Sequence, residues 1–295
     1  MTYITVTVIK HHHICFMEII GYIASLFIGV SLGLIGGGGS ILTVPVLVYL
    51  FSISPTLATS YSLLIVGSTS LVGAFNNYLK GFVRIKTALL FGTASITTVF
   101  LTRKFVIPHI PENIGTIGNF LITRNMLTMV LFAILMVLAS LSMMKSKKNV
   151  ISTADAQPLD DKNEKILIEA ADKKINIPKL LFYGIIIGIV TGLLGAGGGF
   201  LLIPTLVLLV KLPMKEAVGT SLFIIALNSL IGFTGDLGHF TMDWFFLFTI
   251  TSIAIAGIFI GGFIGKKISG DQLKKGFGWF VLIMGTYIIV KELFF

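Results

Sequence analysis

The sequence predicts an all-α polytopic membrane protein made of two homologous repeats, and three observations lead there. Hydrophobic residues make up 55% of the chain against 12% charged, with a mean hydropathy of +0.97. Uncharged runs near the roughly 20 residues a spanning helix needs lie at 19–34, 57–79, 87–102, 125–144, 249–265 and 277–290. A block, GLIGGGGSILTVPVLV from Gly33, returns as GLLGAGGGFLLIPTLV from Gly192, an offset of 159 residues. Ala58 then falls on Ala217, Ser62 on Ser221, Ser70 on Ser229 and Gly73 on Gly232. A duplicated apolar unit, interrupted by glycine at the same place in each half, points to a transporter. The absence of alternating polar and apolar runs argues against a membrane β-barrel.

In chain order, residues 1–16 read as an N-terminal extension, with Met17 a normal start for the first span. His11, His12 and His13 lack a companion ligand and read as a solvated tail rather than a metal site. The single Cys15 excludes an intrachain disulfide. No cleavable leader is expected, because removing the first apolar stretch would destroy the first repeat. Repeat one occupies 17–144, with segments a to e at 17–35, 40–51, 57–79, 85–107 and 124–144. Residues 145–178 form a polar linker, expected on the cytoplasmic side and too short to bury a core. Repeat two occupies 179–295, with segments at 179–194, 199–210, 215–237, 243–266 and 275–294. Eight of these are full spans. The two b segments are short, since twelve residues rise only about 18 Å.

If b crosses, each half has five crossings and the repeats are inverted. If b dips and returns, there are eight spans and the repeats are parallel. Basic residues favour inversion: Lys80, Arg84 and Lys86, Lys145 to Lys148, Lys211 and Lys215, and the lysines at 266–275 then share one side. In the inverted version the Asp236–Asp243 connection, which holds no Lys or Arg, lies on the other side. Arg103, Lys104 and Arg124 sit on that other side in both versions. The net charge of +9 is thus a topology signal, and no nucleic-acid partner is expected.

The candidate site lies where glycine breaks the a helices, at Gly36, Gly37, Gly38 and Gly39 with Ser40, and at Gly195, Gly197, Gly198 and Gly199. Irregular backbone survives inside a bilayer only when buried in protein or lining a polar cavity. The first N–H groups of helix b lack an intrahelical acceptor and carry the positive end of the dipole, which suits an anion. Close packing by small residues competes, although it explains spaced glycines better than a contiguous run. Segment c would supply a polar wall from Ser62, Thr69, Gly73 and Asn76, and from Ser221, Asn228, Gly232 and Gly235, with Ser70 and Ser229 beside it. Pro45 and Pro204, just inside helix b, read as hinges or static kinks. His239 reads as interfacial. With no Asp or Glu deep in a span, a buried carboxylate relay is disfavoured.

The doubled pattern G-x-x-G-x-G-G-x-x-x-x-x-P, followed by A-x-x-x-S-L and S-L-x-G, resembles the TauE/SafE-type sulfite exporter family from residue 17 onward, apart from the linker. Gly36, Gly38, Gly39 and Pro45 carry it in the first half. Gly195, Gly197, Gly198, Pro204, Ala217, Thr220, Ser221 and Leu222 carry it in the second. The first half departs with Ser60-Tyr61 where the second has Gly219-Thr220, and with Lys80 opposite His239. The resemblance implies transport of sulfur-containing anions such as sulfite or organosulfonates. The expectation is a secondary transporter of a small anion, working by alternating access in a lipid bilayer, without cofactor, metal or enzymatic activity. A homo-oligomer is left open. A cation transporter using carbonyls at the broken helices, or a non-transporting scaffold, are the alternatives.

Overall fold

A computed structural model of the protein describes residues 2–117, 120–145, 177–208, 210–265 and 270–294. The linker expected at 145–178 falls almost wholly outside them. Helix α1 (Thr2–Ile35) takes in residues 2–16 as well as segment a. A tight 3-10 stretch, Gly36–Leu42, then leads into α2 (Thr43–Tyr49). The half continues with α3 (Pro55–Leu79), α4 (Ile85–Leu101), a π turn (Thr102–Val106) and the single turn α5 (Ile107–His109), and ends with α6 (Arg124–Lys145). The second half has α7 (Ile177–Leu194), α8 (Gly199–Leu208), α9 (Met214–Asp236), α10 (Trp244–Ile264) and α11 (Gly270–Phe294). Among the described residues, six stretches are long and apolar enough to cross a bilayer by length and composition alone: Ile19–Tyr49, Pro55–Leu79, Ile85–His109, Arg124–Leu141, Met214–Asp236 and Trp244–Ile264. Large side chains such as Phe27, Phe75, Phe182, Phe245 and Phe248 point outward, as a lipid-facing surface requires. The helical architecture is as expected. An antiparallel pair, β1 (Asn113–Ile117) and β2 (Phe120–Thr123), is added between α5 and α6.

The chain reverses at Gly36–Leu42. Between Gly21 and Ile35 a helix rises about 21 Å, yet the ring of Phe51, two residues beyond α2, stacks edge-on with Tyr22 at 5.6 Å. Segment b and its extended tail therefore descend the height that α1 climbs. Helix starts follow local chemistry. Pro55 opens α3, where a missing N–H is harmless. The Asp243 carboxylate accepts from the Phe246 N–H at 3.0 Å to cap α10.

Packing runs between the halves. Gly29, Gly33 and Gly261 of the α1–α10 pair lie against Ala254, Ile258 and Val30, so these helices run parallel. Gly184, Gly188 and Gly192 of α7 meet Phe91, Ser95 and Thr102 in the same way. At the centre α3 and α9 are antiparallel, with Gly67 against Leu230, Gly73 against Leu222 and Gly232 against Leu63. α6 and α11 are also antiparallel, since the Ser140 hydroxyl reaches the Gly278 carbonyl while Gly285 faces Met136. Small residues allow these backbones to approach without side chains between them. Many contacts recur at the 159-residue offset with the halves exchanged. Gly29–Ala254 corresponds to Gly188–Ser95, and Gly73–Ile258 to Gly232–Val99. The Asp243 N–H donates to the Tyr61 hydroxyl at 2.7 Å, and at the equivalent positions the Arg84 N–H donates to Thr220 Oγ1 at 3.0 Å.

Candidate functional site at two glycine breaks

The two breaks touch. A methyl placed on Gly37 would lie 2.5 Å from Gly199 Cα, and one on Gly199 would strike Gly37 in return. Gly37 also meets Ile225, and Gly197 fits between Val66 and Ile225. Val66 and Ile225 lie at the middles of α3 and α9, so the breaks meet at half-height. All four glycines of the first run and Ser40 are buried, with the Ser40 hydroxyl donating to the Gly37 carbonyl at 2.8 Å. The breaks differ in form. The first tightens into a 3-10 turn with Gly36 alone at positive φ (+72°), whereas Gly195, Gly197 and Gly198 all adopt φ near +67°. Three left-handed residues in four positions end α7 abruptly, a geometry that glycine alone adopts freely.

The surrounding polar groups fall into two classes. Some are engaged elsewhere. Thr69 Oγ1 donates to the Ile65 carbonyl at 2.6 Å and Ser221 Oγ to Val218 at 2.9 Å, both within their own helices. Thr220 Oγ1 accepts from the Arg84 N–H at the start of α4. Others are buried without a hydrogen-bond partner: Ser62 Oγ, Ser70 Oγ, Ser229 Oγ, Asn228 Nδ2, Thr43 Oγ1 and Thr191 Oγ1. Ser229 Oγ stands 3.2 Å from the position a Gly197 methyl would take, and Thr191 lies against Gly198. Asn228 Oδ1 accepts from Ser95 at 3.0 Å, which leaves its donor end unmatched. Buried polar groups are ordinarily paired, so the orphans Ser229 and Thr191 beside the second break call for an explanation.

Of the expected site residues, Gly36 to Gly39, Ser40, Gly195, Gly197, Gly198 and Gly199 form the two breaks, while Ser62 and Asn228 are buried on the central helices α3 and α9. Ser229 and Thr191 lie against the second break, Thr43 follows the first in the chain and Ser70 is buried on α3; none of these four was among the expected binding residues. The signal for Ser70 and Ser229 was present, as both flank the expected stripe. Pro45 is buried near the start of α2, whereas Pro204 is exposed within α8, so the two hinge candidates occupy unlike surroundings. His239 is exposed past the end of α9.

The charges need correction. Arg103 and Asp236 were expected in solvent-facing connections, yet both are buried. Arg103 Nη1 lies 3.0 Å from Asp236 Oδ2 and 3.1 Å from Thr59 Oγ1, and the Ser60 hydroxyl donates to the same carboxylate oxygen at 2.5 Å. The π turn carries Arg103 inward past the end of α4, and Asp236 stays within the last turn of α9. At the other end Arg84 forks onto Glu216, Nε to Oε2 at 2.7 Å and Nη2 to Oε1 at 2.8 Å. Asp236 and Glu216, at opposite ends of α9, are therefore both enclosed. Among the described residues no three His, Cys, Asp or Glu gather as a metal site.

The sequence model of the family described as "Sulfite exporter TauE/SafE" matches residues 22–288. A probable membrane transporter protein of Xylella fastidiosa strain 9a5c is 27% identical over 272 residues, covering 90% of this chain and 92% of its own. The probable membrane transporter protein YunE of Bacillus subtilis is 27% identical over 287 residues, covering 92% and 97%. A probable membrane transporter protein of Haemophilus influenzae is 23% identical, covering 89% and 94%. No solved structure matches the chain significantly. With apolar spans, glycine-broken helices and a family match over most of its length, this multi-pass membrane protein belongs to the TauE/SafE sulfite exporter family of membrane transporters, not to a family of enzymes.

Proposed function

We propose that the protein is a secondary transporter of a small sulfur oxyanion, sulfite or an organosulfonate, held where the two glycine breaks meet. The observation that carries this reading is the buried, unpartnered Ser229 Oγ against Gly197 at the second break, with further unpartnered donors, Ser62 Oγ, Ser70 Oγ and Asn228 Nδ2, on the same two central helices α3 and α9. Neutral donors suit an ion that must leave again, because each hydrogen bond to an anion is strong without adding a fixed positive charge. The starts of α2 and α8 add the positive ends of their dipoles. The reading also takes the two halves as inverted repeats. Support comes from the antiparallel α3–α9 and α6–α11 pairs, and from the reversal of segment b alongside α1. Alternating access then amounts to exchanging the conformations of two like halves around a fixed site.

The test combines currents from liposomes of the purified protein on jumps of sulfite, sulfoacetate and chloride with the variant Ser229→Ala. Wild type is expected to give a saturable current with a sulfur oxyanion and none with chloride. Ser229→Ala should raise half-saturation about fivefold while leaving thermal stability unchanged or slightly higher, since it deletes a buried hydroxyl that satisfies nothing in the fold. An unchanged half-saturation removes Ser229 from the site. Absence of sulfite or sulfoacetate binding to folded protein overturns the anion reading.

A further inference from the structure

We propose that Arg103 is a second contact for the transported oxyanion, on the Asp236 side of the glycine breaks, receiving two of its oxygens on the Nε–Nη2 edge of the guanidinium; this rests on the anion reading above. Arg103 is fully buried, and its Nη1 alone makes the hydrogen bonds, to Asp236 and Thr59. Nε and Nη2 are buried without a partner. That edge is the one that grips an oxyanion by two parallel hydrogen bonds. Arg84 shows the same edge in use in this protein, forked onto both oxygens of Glu216. A cation enclosed near the end of a span with three of its five N–H donors unmatched is costly, and such residues mark substrate routes.

Position supports the assignment. Thr59 joins the two places directly: its hydroxyl accepts from Arg103, and its backbone and Cβ lie against Gly195, where the second break begins. Arg103 is therefore one residue removed from the break. It rides on a π turn, a distortion frequent at functional sites. The fold does not require the charge. At the 159-residue offset the other half has Gly262 for Arg103, Asn77 for Asp236 and Gly219 for Ser60, and Gly219 packs against Asn77 with no ion pair. The pair belongs to one end of the route only. Asp236, held on Nη1, then acts as a neighbouring negative charge that repels the anion on the Nε–Nη2 edge and eases its release.

Equilibrium binding of radiolabelled sulfite to the purified full chain tests this with two variants. Arg103→Lys keeps a cation for Asp236 but has no fork, and should weaken sulfite binding about tenfold or more. Asp236→Asn keeps the shape and removes the neighbouring negative charge, and should tighten binding at least threefold while slowing turnover. A purely structural pair would not produce that opposite sign. Binding within twofold of wild type in both variants overturns the assignment of Arg103, while the anion reading stands if wild type binds sulfite and Ser229→Ala weakens it. Loss of both readings together follows only if folded wild type binds neither sulfite nor sulfoacetate. Should Arg103→Lys misfold, Asp236→Asn decides alone, and an unchanged affinity refutes the proposal.

Discussion

Gly195 and Gly81 have the same backbone habit, with φ of +66° and +74°, but different neighbours. A methyl on Gly81 meets nothing within 4 Å, whereas one on Gly195 falls 2.6 Å from Thr59 Cβ. Gly81→Ala should therefore cost only the left-handed strain, about 1–2 kcal/mol. Gly195→Ala adds overpacking of about 1–3 kcal/mol and should also abolish sulfite flux, because it pushes Thr59 toward Arg103. Thermal unfolding in detergent beside liposome flux measures both, and equal flux loss in the two variants would contradict it. The glycine runs were legible in the sequence because four contiguous glycines have no role in a helix. The Arg103–Asp236 pair was not, because its partners lie 133 residues apart and each looks, locally, like a polar residue ending a span. The only hint was that apolar residues flank Arg103-Lys104 on both sides. Thr220, expected at the substrate from its place in the family pattern, also has a role the pattern did not signal: its hydroxyl accepts from the N–H at the start of α4.

Helices were the most legible level. Long uncharged runs leave little alternative in a bilayer, so α3 and α4 start near the expected residues, Pro55 and Ile85 against 57 and 85. The reversal at Gly36–Leu42 was not readable, because a glycine run permits a kink, a bend or a full return alike, and tertiary contact with Gly21 selects among them. The β1–β2 hairpin fell in a loop too short and mixed to signal. Glycines on the faces of α1 and α7 have a shared role at this level, letting each helix lie against a d helix of the other half. Gly29→Leu and Gly188→Leu should lower the thermal midpoint by similar amounts, about 5 °C or more, from overpacking at equivalent contacts. Gly262→Leu, where a methyl meets nothing within 4 Å, should shift it by less than about 2 °C. A large difference between the first two would argue against equivalent halves.

For the whole molecule, the proposed inversion makes a prediction about sides. Antiparallel α3 and α9 bring Lys80 and Lys215 to one end and Ser54 and His239 to the other, all four exposed. In a Cys15→Ser background, an impermeant thiol reagent should label Lys80→Cys and Lys215→Cys from one side of oriented vesicles, and Ser54→Cys and His239→Cys from the opposite side. Parallel repeats would instead pair Ser54 with Lys215 and Lys80 with His239, so the labelling separates the two topologies outright. The interlaced pairing of α1 with α10 and of α4 with α7 bears, finally, on how the chain is made. Once α1 has left the ribosome, its glycine-lined face has no mate until more than two hundred further residues have been synthesised. A nascent first half is thus an open-faced intermediate in the bilayer, and contacts so distant in sequence form late. Neither half is a unit that can mature alone, and two separately expressed halves should become stable only when produced together.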